Sequence, residues 1–130
     1  LELAQYNADR HRVGSRLRFC QGDLWPPAGS FQMVVSNPPY IPSLKLKGLR
    51  PEVRTEPIQA LDGGRDGLTY YRRIAVGLHQ YLSSPGWVLL EVGARQAEEV
   101  GELMAAVGLT VLPPVCDLAG TPRLVQGYFK

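Results

Sequence analysis

Hydrophobic residues recur along this chain in two periods, and the alternation between those periods predicts its elements. Leu1, Ala4 and Ala8 share one face of a helix over residues 1 to 10, with no residue ahead of Leu1 to act as N-cap, so the chain reads as beginning inside an element. Arg16 to Gln21 alternates Leu17, Phe19 and Gln21 against Arg16, Arg18 and Cys20, the pattern of a short strand stopped by Gly22-Asp23. Phe31 to Ser36 is a second strand, and its apolar end runs into Asn37-Pro38-Pro39-Tyr40. From Ile41 to Asp66 the chain carries Pro42, Pro51 and Pro57, mixed charges and no sustained period, and a connection that long is expected as a lid or binding loop. Tyr71, Ile74, Ala75, Leu78, Tyr81 and Leu82 share a face of a helix over Leu68 to Leu82, with Asp66 as cap and Pro85-Gly86 as stop. Trp87 to Val92 is a continuous apolar run, expected as a strand buried on both faces. Ala97, Val100, Leu103, Met104 and Val107 form a further helical face closed by Gly108, and Leu109 to Leu112 and Leu124 to Phe129 read as strands around the loop Cys116 to Pro122.

Strands alternating with helices predict an α/β layer sandwich with a largely parallel sheet. Ligands of such sheets bind beyond the carboxyl ends of the strands, where Asp23, Asn37 and Gly93 fall. A length of 130 residues suits one domain, residues 1 to 130, and no stretch is long and apolar enough for a membrane span. With no secretory pattern at the N-terminus, a cytoplasmic location is expected. Cys20 and Cys116 are then read as reduced, buried small hydrophobes. A net charge of +2 argues neither for nor against a polyanionic partner, and direct nucleic-acid binding is not expected because no strong basic groove or base-recognition module is evident. Arg10, Arg12, Arg16 and Arg18 read as a solvated helix end.

Chemistry concentrates at Asn37-Pro38-Pro39-Tyr40. Both prolines lack an N–H and hold φ near −65°, so the turn offers carbonyl acceptors without competing donors. Asn37 adds a side-chain oxygen, and Tyr40 adds a flat apolar face. Two acceptors beside an aromatic wall suit a planar group bearing NH2, either an amide or the exocyclic amine of a base. A proline turn that merely ends a strand is the competing reading. Gly63-Gly64-Arg65-Asp66-Gly67 follows a loop rather than a strand, so it does not read as a phosphate- or cofactor-cradling turn.

Taken together, SNPPYIP, PEVRTEP, ALDGGRDGLTYYRRI, LLEVG and D-x-x-G-x-x-R resemble the HemK-type protein-glutamine methyltransferases, along the whole of residues 1 to 130. The NPPY segment is shared with enzymes that methylate amino groups of DNA and RNA, whereas the block from PEVRTEP to GGRDGL is narrower and points to the protein-glutamine branch. The resemblance implies a Rossmann-like class I methyltransferase sheet and S-adenosylmethionine as cofactor. It implies a protein partner as substrate: the glutamine of the Gly-Gly-Gln motif of peptide chain release factors. Asn37 and Pro38 would be catalytic, Asn37, Pro38, Pro39 and Tyr40 would hold the target amide, and Asp23, Leu24 and Asn37 would lie against the cofactor. Transfer would be direct, with no metal. Glu52, Glu56 and Asp62 belong to the signature loop, where a part in ordering that loop is expected, and Glu91 ends a strand in a structural hydrogen bond.

The family's glycine-rich cofactor loop, its ribose-binding acid and its N-terminal helical domain have no counterpart in these residues. The chain therefore reads as the C-terminal part of a longer enzyme, inactive by itself, with an exocyclic-amine methyltransferase and a non-catalytic binding domain as the alternatives. In the sheet order 3-2-1-4-5-7-6 that the resemblance implies, the first two strands are absent. The edge of Phe31 to Ser36 is then expected to be repaired by the Arg16 to Gln21 strand sliding over, by the absent segment as a separate piece, or by a second copy in a symmetric dimer.

Overall fold

In a computed structural model describing residues 1–130, the chain folds around one five-stranded sheet. Its elements are α1 (Glu2–Arg10), β1 (Phe31–Ser36), α2 (Ile58–Leu61), α3 (Thr69–Tyr81), β2 (Leu82–Glu91), α4 (Ala97–Ala106), β3 (Thr110–Val111), β4 (Val115–Cys116) and β5 (Pro122–Phe129). The sheet order is β1-β2-β5-β3, with β4 also paired to β5. This is the 4-5-7-6 half of the expected order.

Only the β1–β2 ladder is parallel, because β5 inserts between β2 and β3 running the other way. The expectation of a largely parallel sheet therefore holds for strand direction, in which β1, β2, β3 and β4 agree, and fails for the ladders, which are mostly antiparallel.

α3 and α4 cover one face of the sheet. Tyr71, Ile74 and Leu78 of α3 and Val100 and Met104 of α4 pack on Val88, Leu90 and Val125 in one apolar core. Gly127 lies opposite Val88 in the ladder, and a methyl there would sit 3.0 Å from Met104 Cε, so the missing side chain makes room for the methionine. On the other face Met33, Val35 and Trp87 remain open, with Trp87 against Tyr128 at 4.8 Å between rings. The run from Trp87 to Val92 is thus buried on one face, not on both, because helices cover only that face.

Three further expectations change. Residues 16 to 21 join no sheet: a 3-10 turn covers Gly14–Arg16 and the segment beyond it stays unpaired, with Leu17 exposed. In the implied order this segment and β1 are not neighbours, and nothing in residues 1–130 lies between them to carry hydrogen bonds across, so the slide onto β1 does not occur. Cys20 and Cys116 are both free and exposed, the first on that unpaired segment and the second at the sheet margin on β4. The stretch from Ile41 to Asp66 is more ordered than a structureless loop, with 3-10 turns at Ser43–Gly48 and Val53–Thr55 followed by α2.

Asp66 does not cap α3 as expected: Leu68 is the N-cap and no side chain caps it, while Asp66 lies two residues ahead, its carboxylate accepting from the Leu68 N–H at 3.0 Å and pairing with Arg72 in the first turn. Gly108, at φ +87, ends the α4 face in the left-handed conformation that glycine tolerates best. No helix is long and apolar enough to cross a membrane.

Candidate active site

β1 and β2 run parallel with Ser36 beside Leu90, so the turn Asn37 to Tyr40 and the segment Glu91 to Gly93 leave the sheet at the same end. Asn37 is exposed, Pro38 is buried, and Pro39 and Tyr40 are half-buried. Asn37, Pro38 and Tyr40 line one cavity of about 320 Å³, closed on its far side by Val53, Glu56, Ala60 and Leu61 of the long connection. No backbone N–H of the chain bonds the Pro38 carbonyl. Three of the four residues expected to hold a planar NH2 group, Asn37, Pro38 and Tyr40, thus line one cavity, and Pro39 is not among its lining residues.

The connection folds back and straps this turn. The Ile41 N–H donates to the Leu61 carbonyl at 3.0 Å, the Gly63 N–H to the Ile41 carbonyl at 2.9 Å, and the Ser43 N–H to the Gly64 carbonyl at 2.9 Å. The Asp62 carboxylate accepts from Ser43 Oγ at 2.7 Å and from the Gly64 N–H at 2.9 Å, and these bonds hold it below the usual carboxylate range. Asp66 is lowered further, to about 2, first by the Arg72 guanidinium on its two oxygens at 3.1 and 2.7 Å and then by the Leu68 N–H. Asp62 therefore orders the signature loop, as expected of it.

Three glycines make the strap fit. A methyl on Gly63 would meet the Tyr40 Cα at 2.7 Å, one on Gly67 the Tyr40 carbonyl oxygen at 2.4 Å, and one on Gly93 the Tyr40 Cδ2 at 2.9 Å. Gly67 also sits at φ +82, so it is required twice over. The glycine cluster cradles the chain's own Tyr40, consistent with its reading as something other than a phosphate loop.

Behind Tyr40 stands Tyr71, almost fully buried, its hydroxyl donating to the Glu91 carbonyl at 2.7 Å. Burial pushes its phenol well above the ordinary tyrosine value, with the Tyr40 phenol and the Glu91 carboxylate adding to the rise. Tyr71 is therefore a neutral anchor. The expected bond from Glu91 to a nearby loop is not made: its carboxylate has no hydrogen bond, and only its backbone carbonyl accepts, from Tyr71 of α3.

Asp23 and Leu24 lie elsewhere. The Asp23 carboxylate is ion-paired with Arg73 of α3 at 2.6 Å on the surface. Leu24, at φ 68, packs on the core and lines a second cavity of about 390 Å³ with Trp25, Arg18 and Cys20. Trp25 stacks on Tyr81 at 4.7 Å. The structure thus brings Asn37, Pro38 and Tyr40 together and leaves Asp23 and Leu24 out of their cavity.

Sequence reasoning missed Gln96. It precedes an acidic helix start, the setting of a solvated residue, yet it is buried and bonded to Tyr40, Gly67 and Gly93. Glu56, to which no chemistry was assigned, lines the Asn37 cavity and the neighbouring one of about 360 Å³.

No protein-family model matches the chain. It is 44% identical over 130 residues to the release factor glutamine methyltransferase of Geobacter sulfurreducens, a match covering 98% of this chain and 45% of that protein. The corresponding protein of Moorella thermoacetica is 40% identical, with 98% and 46% covered, and that of Caulobacter vibrioides 41% identical, with 98% and 45% covered. Among solved structures, the release factor-specific protein-(glutamine-N5) methyltransferase of Alicyclobacillus acidocaldarius is 31% identical with a TM-score of 0.51, over 78% of this chain and 50% of that one. The catalytic domain of hMettl16 shares the fold at a TM-score of 0.67 and 17% identity, over 98% of this chain and 51% of its own. The chain is thus homologous to release factor glutamine methyltransferases over nearly all of its own length, and it spans about 45% of the length of the curated relatives it matches.

Proposed function

We propose that this chain, a homologue of part of the release factor glutamine methyltransferases, forms the target-amide half of an enzyme that methylates the glutamine side chain of the Gly-Gly-Gln motif in peptide chain release factors, in the cytoplasm. One observation carries the reading: Asn37, the unbonded Pro38 carbonyl and the Tyr40 ring share one cavity at the carboxyl end of β1.

A carboxamide nitrogen is a poor nucleophile because its lone pair is delocalised into the carbonyl. Asn37 Oδ1 and the Pro38 carbonyl would each accept one of its two N–H bonds, fixing the plane of the amide and leaving the lone pair directed out of that plane. Tyr40 supplies a flat wall against which that plane rests. As the nitrogen bonds to carbon it turns tetrahedral and its N–H groups become more acidic, so both hydrogen bonds strengthen on the way to the transition state. The methyl–sulfur bond of the sulfonium would break as the nitrogen–carbon bond forms, the thioether leaving with that electron pair, and the methylated nitrogen would then shed one proton to water. Holding the amide in line contributes through proximity.

S-adenosylmethionine, the methyl donor that the relatives imply in general, would supply an electrophilic methyl group. Its adenosyl part would find no open glycine turn at the Asn37 cavity. Gly63, Gly67 and Gly93 are filled by Tyr40 and Gln96, and the Asp23 carboxylate is paired with Arg73. Asn37, exposed at the strand end, would face the methyl group.

Labelled methyl transfer by the full-length protein carrying this chain, offered a release factor and separately a DNA oligonucleotide, tests the reading. Label on the release-factor glutamine is expected. Label on DNA alone, or on neither, would overturn it.

A further inference from the structure

We infer that Gln96 is a positioning residue for the target amide, acting through the carbonyl and ring of Tyr40; this rests on the reading of the Asn37 to Tyr40 turn as the amide site. Gln96 is the one buried residue with a wholly polar end group outside the apolar and aromatic core, at 8% exposure. Burying an amide is costly unless all its groups are paired, and here they are. Its Oε1 accepts from the Gly93 N–H at 3.0 Å, and its Nε2 donates to the Tyr40 carbonyl at 3.1 Å and to the Gly67 carbonyl at 3.3 Å.

Those three bonds reach three different segments: the turn after β1, the loop ahead of α3, and the end of β2. The backbone of Gln96 fixes its own position, since its N–H donates to the Gly93 carbonyl at 3.1 Å and its carbonyl accepts from the Val100 N–H at 3.0 Å. The glycines at 67 and 93 let the amide approach, because a methyl on either would lie 2.6 Å from a Gln96 side-chain atom.

The consequence for the site is directional. Gln96 takes the Tyr40 carbonyl out of the turn's open acceptors, while the Asn37, Pro38 and Pro39 carbonyls carry no hydrogen bond from within the chain, and it holds the Tyr40 backbone so that the ring stays against the cavity. Only a side chain that accepts once and donates twice at this reach completes the pattern. Glutamate has the same shape and the wrong polarity, since its second oxygen would face two carbonyl oxygens.

That polarity supplies the test, on the full-length protein with a synthetic peptide containing Gly-Gly-Gln as substrate. At pH 8, Gln96→Glu should lower kcat by about ten- to a hundredfold, the usual cost of a small misplacement at a reacting centre. The KM for S-adenosylmethionine should move less than about twofold, because Gln96 acts on the amide side. As pH falls and the carboxyl takes up a proton, it regains one donor, so activity relative to wild type should recover. Gln96→Met, similar in volume and unable to donate, should lose kcat without that recovery and also serves if Gln96→Glu does not fold. A readout independent of turnover is hydrogen-exchange protection of the Ile41, Ser43 and Gly63 amides, expected to fall in both variants and to return at low pH only in Gln96→Glu. Wild-type kcat in Gln96→Met, equal acid recovery in both variants, or unchanged protection would overturn the inference. A wild-type protein that methylates no glutamine peptide would instead sink the functional reading, leaving the exchange data to decide whether Gln96 holds the turn.

Discussion

Gly63 and Tyr40 are packed backbone against backbone: a methyl on Gly63 would stand 2.7 Å from the Tyr40 Cα and 2.8 Å from its carbonyl carbon. The glycine of one loop is thereby the template for the turn of another. Backbone cannot rotate aside as a long side chain can, so an added methyl must displace the turn itself.

Gly67→Ala should accordingly destabilise the fold by about 2–4 kcal/mol, combining overpacking with left-handed strain. Gly48→Ala, with nothing within 4 Å, provides the matched control and should cost almost nothing. Denaturant midpoints of the two variants measure the difference. Equal midpoints would show that the strap yields easily and does not hold the turn.

Asn37→Ala, made in the full-length protein, should lower turnover by about a hundred- to a thousandfold, the usual effect of removing one preorganised polar contact to the reacting group. Cofactor affinity should change far less, since this chain gives the adenosyl part little to hold. Steady-state kinetics with a release-factor substrate decide the matter, and a variant keeping more than about a third of wild-type turnover contradicts the role given to Asn37.

Acid should weaken the strap as its carboxylates take up protons. The Asp66 carboxylate titrates at about 2 in the folded chain and Asp62 is lowered as well, while in the unfolded chain both return to about 4. The unfolded state therefore binds protons first as pH falls. Stability from these groups is complete above about pH 4 and is lost progressively toward pH 2. Urea midpoints across that window should fall less steeply in Asp66→Asn than in wild type, and parallel slopes would refute the assignment.

Much of this architecture was legible in the sequence, because periodicity reports burial. The face of Tyr71, Ile74 and Leu78 and the helix closed by Gly108 follow from side chains that must leave water, whereas the strand of Phe31 to Ser36 was legible from its apolar, β-branched run although most of its side chains stay exposed. The Asn37 to Tyr40 turn was legible because two consecutive prolines leave the backbone few options. Residues 16 to 21 alternate as a strand does, yet a strand also needs a neighbour to take its hydrogen bonds, and alternation cannot supply one. Gln96 was invisible for a related reason: its role comes from carbonyls contributed by residues far away in sequence, Tyr40 and Gly67. Asp23 was placed at a strand end by pattern and against the cofactor by resemblance, and the residue that pairs with it, Arg73, lies 50 positions on, where local pattern has no reach.

By itself this chain should bind S-adenosylmethionine more weakly than about 10 μM, roughly −7 kcal/mol on the affinity scale. Close approach of a backbone to ribose and methionine needs an unfilled glycine turn, and the glycines clustered at this site are occupied by Tyr40 and Gln96. Calorimetric titration of these 130 residues against the cofactor measures the affinity directly. Tighter binding would mean that the cavity around Leu24 and Trp25 takes the adenine after all.

The last expectation concerns the free side of β1. This strand ends the sheet, pairing only with β2, and it shows Met33 and Val35 more than half exposed. Its outer row of N–H and C=O groups has no ladder partner, and it bears no charged residue to discourage pairing. Two copies could satisfy each other by joining these edges across a two-fold axis, which in a sheet is an antiparallel pairing and needs no change in either chain. Light scattering on the isolated chain should therefore show a mass that rises with concentration toward the dimer. Val35→Lys would place a charge beside its symmetry mate and should return the mass to that of a monomer, while leaving the core residues Val88 and Leu90 untouched. A wild-type chain that stays monomeric at millimolar concentration would show that water satisfies this edge well enough by itself.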